Sequence, residues 1–310
     1  MTNIITINSV KEYNKAMGQK TLHPLVSVID FSKCEPFEFQ RMQLNIYAIF
    51  LKDLNCGDMI YGLNKYDYEE GSLIFVSPGQ VYGIDSKGEK RRGVGKAIIF
   101  HPDLILGTSL GKHINDYTFF SYEVNESLHL SKPEREVINE RIRDIQDELK
   151  QAIDNHSRTL IVSHLELFLN YSKRFYERQF ITRSHANKDI LTRFEKVLND
   201  YFASEQSLLS GLPSVKYCAD RLFISANYLG DLLKKETGKS AQEHIHLKLI
   251  EVSKMKIVGS EKAISEVAYE VGFKHPQHFT RMFKKSVGIS PSEYRISYNN
   301  LKGGFSKLKP

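Results

Sequence analysis

The stretch ISEVAYEVGFKHPQHFTRMFKKSVG, residues 264–288, repeats the pattern of VKYCADRLFISANYLGDLLKKETG, residues 215–238. The matching alanines, Ala219 and Ala268, lie 49 residues apart, and both copies end with a lysine pair and a glycine. Two copies are too few for a solenoid, which needs at least three stacked repeats. The repeat therefore predicts two tandem helical units of related design.

Each copy has the sequence features of a helix-turn-helix. Apolar residues at i, i+3, i+4 and i+7 predict a first helix in each copy: Val215, Cys218, Ala219 and Leu222, or Ile264, Val267, Ala268 and Val271. Gly272 suits a turn with a positive φ, and Ser225 or Pro276 suits the start of a second helix. Gly238 or Gly288 then suits its C-terminal cap. We expect the apolar residues of the second helices to face inward, which leaves a polar face that a DNA major groove can receive.

The double motif resembles the DNA-binding domain of AraC/XylS-type transcription regulators over about residues 190–298. The segments KKETG at 234–238 and GISPSEYR at 288–295 carry much of this resemblance. It implies double-stranded DNA as a ligand and RNA polymerase as a partner. By position, it places Asn227, Gly230 and Asp231 of the first copy and Gln277, Thr280 and Arg281 of the second on the helix faces that meet DNA. The other candidate DNA-binding residues are Ser225, His278 and the lysines Lys234, Lys235, Lys284 and Lys285, which would contact phosphates or cap helix ends.

The second helix of each copy, called a reading helix below, is the one that would contact the bases, and the two reading helices differ in the side chains available for such contacts. Gly230 has no side chain, and the carboxylate of Asp231 is repelled by phosphates, so we expect little base readout from the first helix. Arg281 is the strongest candidate for a bidentate contact to guanine, and Gln277 is the next. Residues 240–258 predict a helix of about 28 Å at 1.5 Å per residue, a rod suited to placing two reading helices roughly one DNA turn (~34 Å) apart.

Composition and charge fit a globular protein that binds nucleic acid. The 310 residues suffice for two or three domains, and a chain that is 41% hydrophobic and 26% charged can form a core. Residues 1–182 contain 22 Lys and Arg against 24 Asp and Glu, whereas residues 183–310 contain 21 against 13. Basic charge therefore collects on the segment with the double motif, as phosphate binding requires.

The sequence indicates a cytoplasmic protein. Its first residues lack the basic start of a signal peptide, and no apolar run reaches the ~18 residues of a membrane span. The three cysteines, Cys34, Cys56 and Cys218, form no CxxC pair, which fits a reducing compartment.

Residues 1–125 predict a β domain. Apolar runs at 25–31, 43–51, 58–61, 73–76 and 96–100 are separated by turn residues, which favours a sandwich or barrel. In AraC/XylS-type regulators the partner domain is often a cupin-like jelly roll that senses a small molecule, and EGSLIFVSPG at 70–79 is similar to one of its strand pairs. The candidate effector-binding residues are Arg41, Tyr47, Tyr61 and Tyr82; alternatively, each is an ordinary core or surface residue.

The sequence does not favour an enzyme. A cupin-type metal site would need clustered histidines with a glutamate, but the corresponding run YDYEE at 66–70 contains no histidine. No nucleophile elbow or phosphate-binding loop is present in the sequence. We therefore expect no metal, no cofactor and no catalytic activity.

Residues 126–182 predict two helices. Ser131 and Glu134 fit a capping box at the start of the first, which carries an apolar stripe of Ile138, Ile142, Ile145 and Leu149. In similar regulators this region forms the dimer contact, so the stripe is a candidate homodimer surface; alternatively, it packs on the β domain. The polar segment 182–188 predicts a hinge.

The sequence thus predicts an α+β multidomain protein. A cupin-like regulatory β-barrel or jelly roll (1–125) precedes a helical connector (126–182) and an all-α DNA-binding domain with two helix-turn-helix motifs (183–310). The predicted function is a sequence-specific transcription regulator of the AraC type, controlled by a small molecule. The alternative is a cupin-type ligand-binding adaptor whose helical tail mediates protein contacts, and binding to duplex DNA distinguishes the two.

Overall fold

The computed structural model describes residues 4–38, 41–52, 71–82, 90–91, 93–122, 126–182 and 184–306. The chain divides into two compact units, Met1–Arg183 and Ser184–Pro310. Each unit has a hydrophobic core of its own.

The first unit contains the strands. They are β1 (Ile5–Ile7), β2 (Val26–Asp30), β3 (Phe37–Glu38), β4 (Met42–Leu44), β5 (Tyr47–Lys52), β6 (Ser72–Val76), β7 (Gln80–Tyr82), β8 (Lys90–Arg91), β9 (Lys96–Phe100) and β10 (Leu128–His129). An antiparallel five-stranded sheet has the order β10-β6-β5-β9-β2. A three-stranded sheet has the order β1-β4-β7, with β1 parallel to β4, and β3 pairs with β8.

The first unit also contains five α-helices among its described residues: α1 (Val10–Ala16), α2 (Pro102–Ile105), α3 (Ser109–His113), α4 (Lys132–Glu148) and α5 (Ser157–Thr182). The capping box predicted for α4 is confirmed, since the backbone N–H of Ser131 donates to the Glu134 carboxylate at 2.9 Å. That carboxylate also accepts two hydrogen bonds from Arg178 of α5, at 3.0 and 2.6 Å. Arg178 donates a further bond of 2.7 Å to the carbonyl of His129, so it links α4, α5 and β10.

The expected barrel is wrong for the residues that the structure describes, because the five-stranded sheet ends in two edge strands, β10 and β2, and the other strands form separate sheets. Different elements cover the two faces of the five-stranded sheet. Ala48 and Phe50 of β5 share a core with residues of β1, β4 and α1. On the opposite face, Phe75 of β6 contacts Phe119 and Tyr176, with ring centroids 4.4 and 6.2 Å apart. Buried on both sides, the central strands are continuously apolar, as the sequence indicated. The strand expected at 58–61 lies outside the described residues.

The second unit is helical throughout its described residues. Its helices are α6 (Ser184–Ala203), α7 (Gln206–Ser210), α8 (Val215–Leu222), α9 (Ala226–Thr237), α10 (Ala241–Gly259), α11 (Ile264–Glu270), α12 (Pro276–Val287) and α13 (Pro291–Ser306). The polar segment interpreted as a hinge is already helical from Ser184 onward, because α6 begins there. None of the helices described in either unit combines the length and apolarity of a membrane-spanning segment.

Candidate nucleic-acid interface

The two predicted helix-turn-helix motifs are present and have matching turns. In the first, α8 ends and the N–H of Ile224 donates to the carbonyl of Ala219 at 3.2 Å. In the second, the N–H of Phe273 donates to the carbonyl of Ala268 at 2.9 Å. The residue before each donor has a positive φ, +59° at Phe223 and +102° at Gly272. The repeat seen in the sequence is therefore a repeat of backbone geometry.

Gly272 is required by the packing around it. A Cβ at this position would lie 2.7 Å from the carbonyl carbon and 2.9 Å from the carbonyl oxygen of Gly211. That oxygen also accepts a hydrogen bond of 2.8 Å from the hydroxyl of Tyr201. The turn of the second motif therefore lies directly on the backbone that follows α7.

The reading helices α9 and α12 have the predicted ends. The Ser225 side chain accepts a hydrogen bond of 3.1 Å from the N–H of Tyr228, which caps the N-terminus of α9. Pro276 occupies the first turn of α12, where its missing N–H costs nothing. Gly238 and Gly288 take left-handed conformations at the two C-termini, as glycine does most readily.

The inner faces of the reading helices hold them in the core. Leu229, Leu232 and Leu233 of α9 are fully buried, as are Phe279 and Phe283 of α12. Burial of such side chains contributes about 1.5–3 kcal/mol each. Each reading helix is therefore fixed by one face, which leaves the other free to contact a ligand.

The outer faces carry the DNA-binding positions inferred from the sequence. The exposed positions are Asn227, Lys234, Lys235, Gln277, His278, Arg281, Lys284 and Lys285, while Ser225, Asp231 and Thr280 are half-buried. Since none of the eleven is buried, the whole set is accessible to a ligand. Arg281 and Lys284 line a shallow depression with Gln277 and Thr280, beside Ser265 at the start of α11 and Ser292 at the start of α13.

The helix α10 connects the two motifs. It runs without interruption over the 19 residues Ala241–Gly259 and buries Ile245, Leu249 and Ile257, which confirms the predicted rod of about 28 Å. Lys256 of α10 donates a hydrogen bond of 2.9 Å to Glu270 at the end of α11. Lys262 contacts the same carboxylate. The hydrogen bond from Lys262 has the larger effect, and together with that from Lys256 it holds the pKa of Glu270 below its usual range. The second motif is thus joined to α10 by the Lys256–Glu270 ion pair as well as by apolar packing.

Comparison with known proteins agrees with this geometry. A family model described as a helix-turn-helix domain matches residues 218–297. The transcriptional regulatory protein YesN of Bacillus subtilis strain 168 is 35% identical over 94 residues, which are 29% of this chain and 26% of YesN. The HTH-type transcriptional activator RhaS of Enterobacter sp. strain 638 is 24% identical over 157 residues, which are 50% of this chain and 54% of RhaS.

The second unit contains an AraC/XylS-type helix-turn-helix domain. Each match covers less than two thirds of the relative, 26% of YesN and 54% of RhaS. Among solved structures, ToxT from Vibrio cholerae O395 is 17% identical with a TM-score of 0.29, over 88% of this chain and 96% of that chain.

Outside the AraC/XylS-type domain, the candidate effector-binding residues do not converge. Tyr47 stacks on Phe100, with ring centroids 4.8 Å apart, whereas Tyr82 stacks on Phe50 at 4.4 Å. Tyr47 and Phe50 are three residues apart on β5, so their side chains lie on opposite faces of the sheet. Arg41 is exposed, and Tyr61 lies outside the described residues. Tyr47 and Tyr82 therefore pack against different faces of the five-stranded sheet, and the assignment of the four residues to effector binding stays a prediction.

The apolar stripe of α4 is not a free dimer surface. Ile138, Ile142 and Ile145 are 0–2% exposed in the single chain, and Leu149 is half-buried. They pack in a helix that contacts α5 and β2. Since packing inside the unit and packing on a partner produce the same apolar period, the sequence could not distinguish them. The assignment of Ile138, Ile142 and Ile145 to dimerisation is corrected accordingly, while that of the half-buried Leu149 stays a prediction.

Sequence reasoning overlooked two histidines of α10. His244 and His246 lie two residues apart on one helix and therefore point away from each other, so the sequence indicated no shared site, yet each contacts a hydroxyl of a reading helix. The available signal was a hydroxyl residue in the last turn of both reading helices, Thr237 and Ser286.

Cys218 is a free thiol in the core, where burial raises its pKa to about 11.

Proposed function

We propose that this protein is a sequence-specific DNA-binding transcription regulator of the AraC type. The observation that supports it most directly is the pair of accessible polar helix faces, on α9 and α12, joined by the single continuous helix α10. The faces are exposed because the opposite sides of both helices are locked in the core. Two such helices on one rod suit successive grooves of a duplex.

Residue roles follow from chemistry and position. Arg281 has a planar fork of donors that matches guanine, and it lies beside Gln277 on the exposed face of α12. The lysine pairs 234–235 and 284–285 lie in the last turns of α9 and α12. We assign the lysines to phosphate contacts, which fix orientation and add affinity at every sequence.

The experiment is a comparison of duplex binding by the full chain and two variants. A preferred site is selected from random duplexes, and affinity for it and for a scrambled duplex is measured across salt concentrations. Arg281→Ala should cost about 1–3 kcal/mol on the preferred site and much less on the scrambled one. Lys284→Ala should weaken both duplexes similarly and reduce the salt slope by about one.

A matched control separates these effects from general loss of charge. Arg174→Ala removes an exposed arginine from α5 of the first unit, and should leave affinity, specificity and salt slope unchanged. If the wild-type chain shows no salt-dependent duplex binding, the regulator is the wrong assignment and the ligand-binding adaptor becomes the better one. If Arg281→Ala keeps its full preference for the selected site, Arg281 does not read a base.

For the first unit we propose a regulatory role in a cupin-like fold, with a small molecule as effector. The two sheets that enclose the core around Phe50 and Tyr82 support this interpretation. The same proposal includes a cytoplasmic location, where chromosomal DNA is accessible, and RNA polymerase as the protein partner that the AraC/XylS-type resemblance implies. Domain limits at 125/126 and 182/183 are part of the same proposal. A thermal-shift screen of metabolites on the full chain tests it, since an effector must raise the melting temperature.

We also infer that the protein forms a homodimer. Because the α4 stripe is buried, the candidates are exposed apolar side chains of α5, which include Ile181 near its end (62% exposed). We choose Leu160, which is 45% exposed, and Leu167, which is 39% exposed. They lie seven residues apart and therefore on one face of the helix. Light scattering should show that Leu160→Asp with Leu167→Asp shifts the mass toward the monomer. An unchanged mass excludes this face, and a monomeric wild type excludes the dimer.

A further inference from the structure

Two histidines at the start of α10 each contact the last turn of one reading helix. His244 Nε2 lies 2.7 Å from Thr237 Oγ1 of α9, and His246 Nε2 lies 2.8 Å from Ser286 Oγ of α12. Residues two apart on an α-helix point about 200° apart. The two contacts therefore leave α10 on opposite sides, so that one helical turn joins the ends of both reading helices.

The protons of both hydroxyls are already committed. Thr237 donates to the carbonyl of Leu233 at 2.7 Å, and Ser286 donates to the carbonyl of Met282 at 3.0 Å. With each hydroxyl donating to its carbonyl, we infer that it accepts from its histidine, and this assigns the proton of the neutral ring to Nε2. The contacts are therefore directional hydrogen bonds that select one tautomer of the neutral ring.

The surroundings of His244 reinforce this arrangement. Its ring meets Phe194 edge-on, with centroids 6.0 Å apart and planes at 90°. Burial, followed by the charge of Lys239, lowers the pKa of His244. A neutral ring in this position holds its hydrogen bond only as the Nε2–H tautomer.

We propose that His244 and His246 are positioning residues that fix the separation of the two reading helices, and thereby the spacing of the DNA elements that the protein accepts. This inference rests on the proposed DNA-binding function. The anchored hydroxyls lie in the same last turns as the lysine pairs 234–235 and 284–285. A shift of either turn moves a phosphate-contacting pair together with the reading face beside it.

The first test needs no DNA. The ¹⁵N chemical shifts of the imidazole rings, recorded on the full chain at pH 8 and so above the ordinary histidine pKa of about 6.5, distinguish the two tautomers. Both rings should be protonated on Nε2. Ser286→Ala removes the hydrogen bond of His246 and should change the ¹⁵N shifts of that ring alone. Thr237→Val should likewise change the shifts of the His244 ring alone. An Nδ1–H tautomer in the wild type, or no change in the variants, overturns the proposal.

The second test measures spacing. The site selected for the wild type is remade with one base pair removed, or with one or two inserted, between its two elements. We expect the wild type to prefer one spacing at least about tenfold. Because each hydrogen bond is a modest net interaction, Thr237→Val combined with Ser286→Ala should lower that preference about threefold to tenfold. Thr237→Ser and His246→Gln keep a hydroxyl or an N–H donor and should retain it.

The outcomes separate the inference from the function on which it rests. If the double variant is as helical as the wild type by circular dichroism and keeps the full spacing preference, the positioning role is wrong while the regulator stands. If the wild type binds no duplex at any spacing, the proposed function falls and the positioning role with it.

Discussion

Gly272→Ala should destabilise the second unit far more than a change at the equivalent position of the first motif. Gly272 has a φ of +102°, which an L-residue adopts at a cost of roughly 1–2 kcal/mol. Its new Cβ would also lie 2.7 Å from the backbone of Gly211, whose carbonyl is held by Tyr201. Such overpacking costs about 1–3 kcal/mol, and the lower entropy of the unfolded alanine chain returns about 0.4–1. We expect a net loss of about 1–5 kcal/mol.

The matched control is Phe223→Gly. Phe223 occupies the corresponding turn position with a φ of +59°, and its side chain is 79% exposed. Glycine removes the left-handed strain there but gains chain entropy in the unfolded state. These terms nearly cancel, so the stability should change by less than about 1 kcal/mol. The two substitutions should thus change stability by different amounts, because the turn at Gly272 lies against the backbone of Gly211 whereas Phe223 is exposed.

Native-state hydrogen exchange measured by mass spectrometry suits this comparison, because it reports each unit of the full chain separately. Peptides covering α11 and α12 should lose protection in Gly272→Ala, while peptides covering β5 and β6 in the first unit serve as the internal reference. A loss below about 1 kcal/mol in α11 and α12 would show that the backbone after α7 retreats easily. The close approach of Gly211 would then not be a constraint on the sequence.

Three further predictions concern single side chains. Arg178→Ala removes two hydrogen bonds to the 14%-exposed carboxylate of Glu134 and one to the carbonyl of His129. Hydrogen exchange in α4 and β10 should therefore show a loss of stability of about 1–2 kcal/mol. Arg178→Lys should not restore this stability, because lysine lacks the planar fork of donors. The pKa of Glu270 is lowered in the folded state, so its contribution to stability is present above the unfolded pKa of about 4.3 and is lost as the pH falls through the folded value. Glu270→Gln should therefore be less stable than the wild type at pH 7. In acid-unfolding measurements below that range, the variant and the wild type should be equally stable. Gly230→Ala adds a Cβ that meets no atom within 4 Å, so urea unfolding should show α9 stabilised by about 0.5–1 kcal/mol, and equal or lower stability would mean that α9 is distorted at this position.

Much of the second unit was predictable from the sequence because its determinants are local. Apolar spacing defined α8 and α11, and capping residues such as Ser225 and Gly288 defined the ends of the reading helices. The positive φ at Phe223 was not predictable in the same way, because nothing in its side chain favours that conformation. Alignment with Gly272 was the only indication.

The first unit was less predictable because its determinants are non-local. The apolar runs located β2, β5, β6 and β9, but pairing and sheet membership depend on contacts between distant residues. Tyr47 and Tyr82 appeared equivalent as aromatic strand residues, and only the register of β5 places their contacts on opposite faces. Sequence periodicity likewise identified the buried stripe of α4 without showing what buries it.

The two motifs share a fold but present unequal surfaces to a ligand. A glycine inside a helix costs about 1 kcal/mol relative to alanine, and among the residues that the structure describes no atom lies close enough to Gly230 to require its small size. If α9 enters a groove, Gly230 lets the backbone approach closely where a side chain would hold it away. The same position of α12 is filled by Thr280, beside Gln277 and Arg281. We therefore infer that α9 contributes mainly fit to the DNA backbone and α12 most of the base readout, so that sequence preference depends on α12 while affinity depends on both.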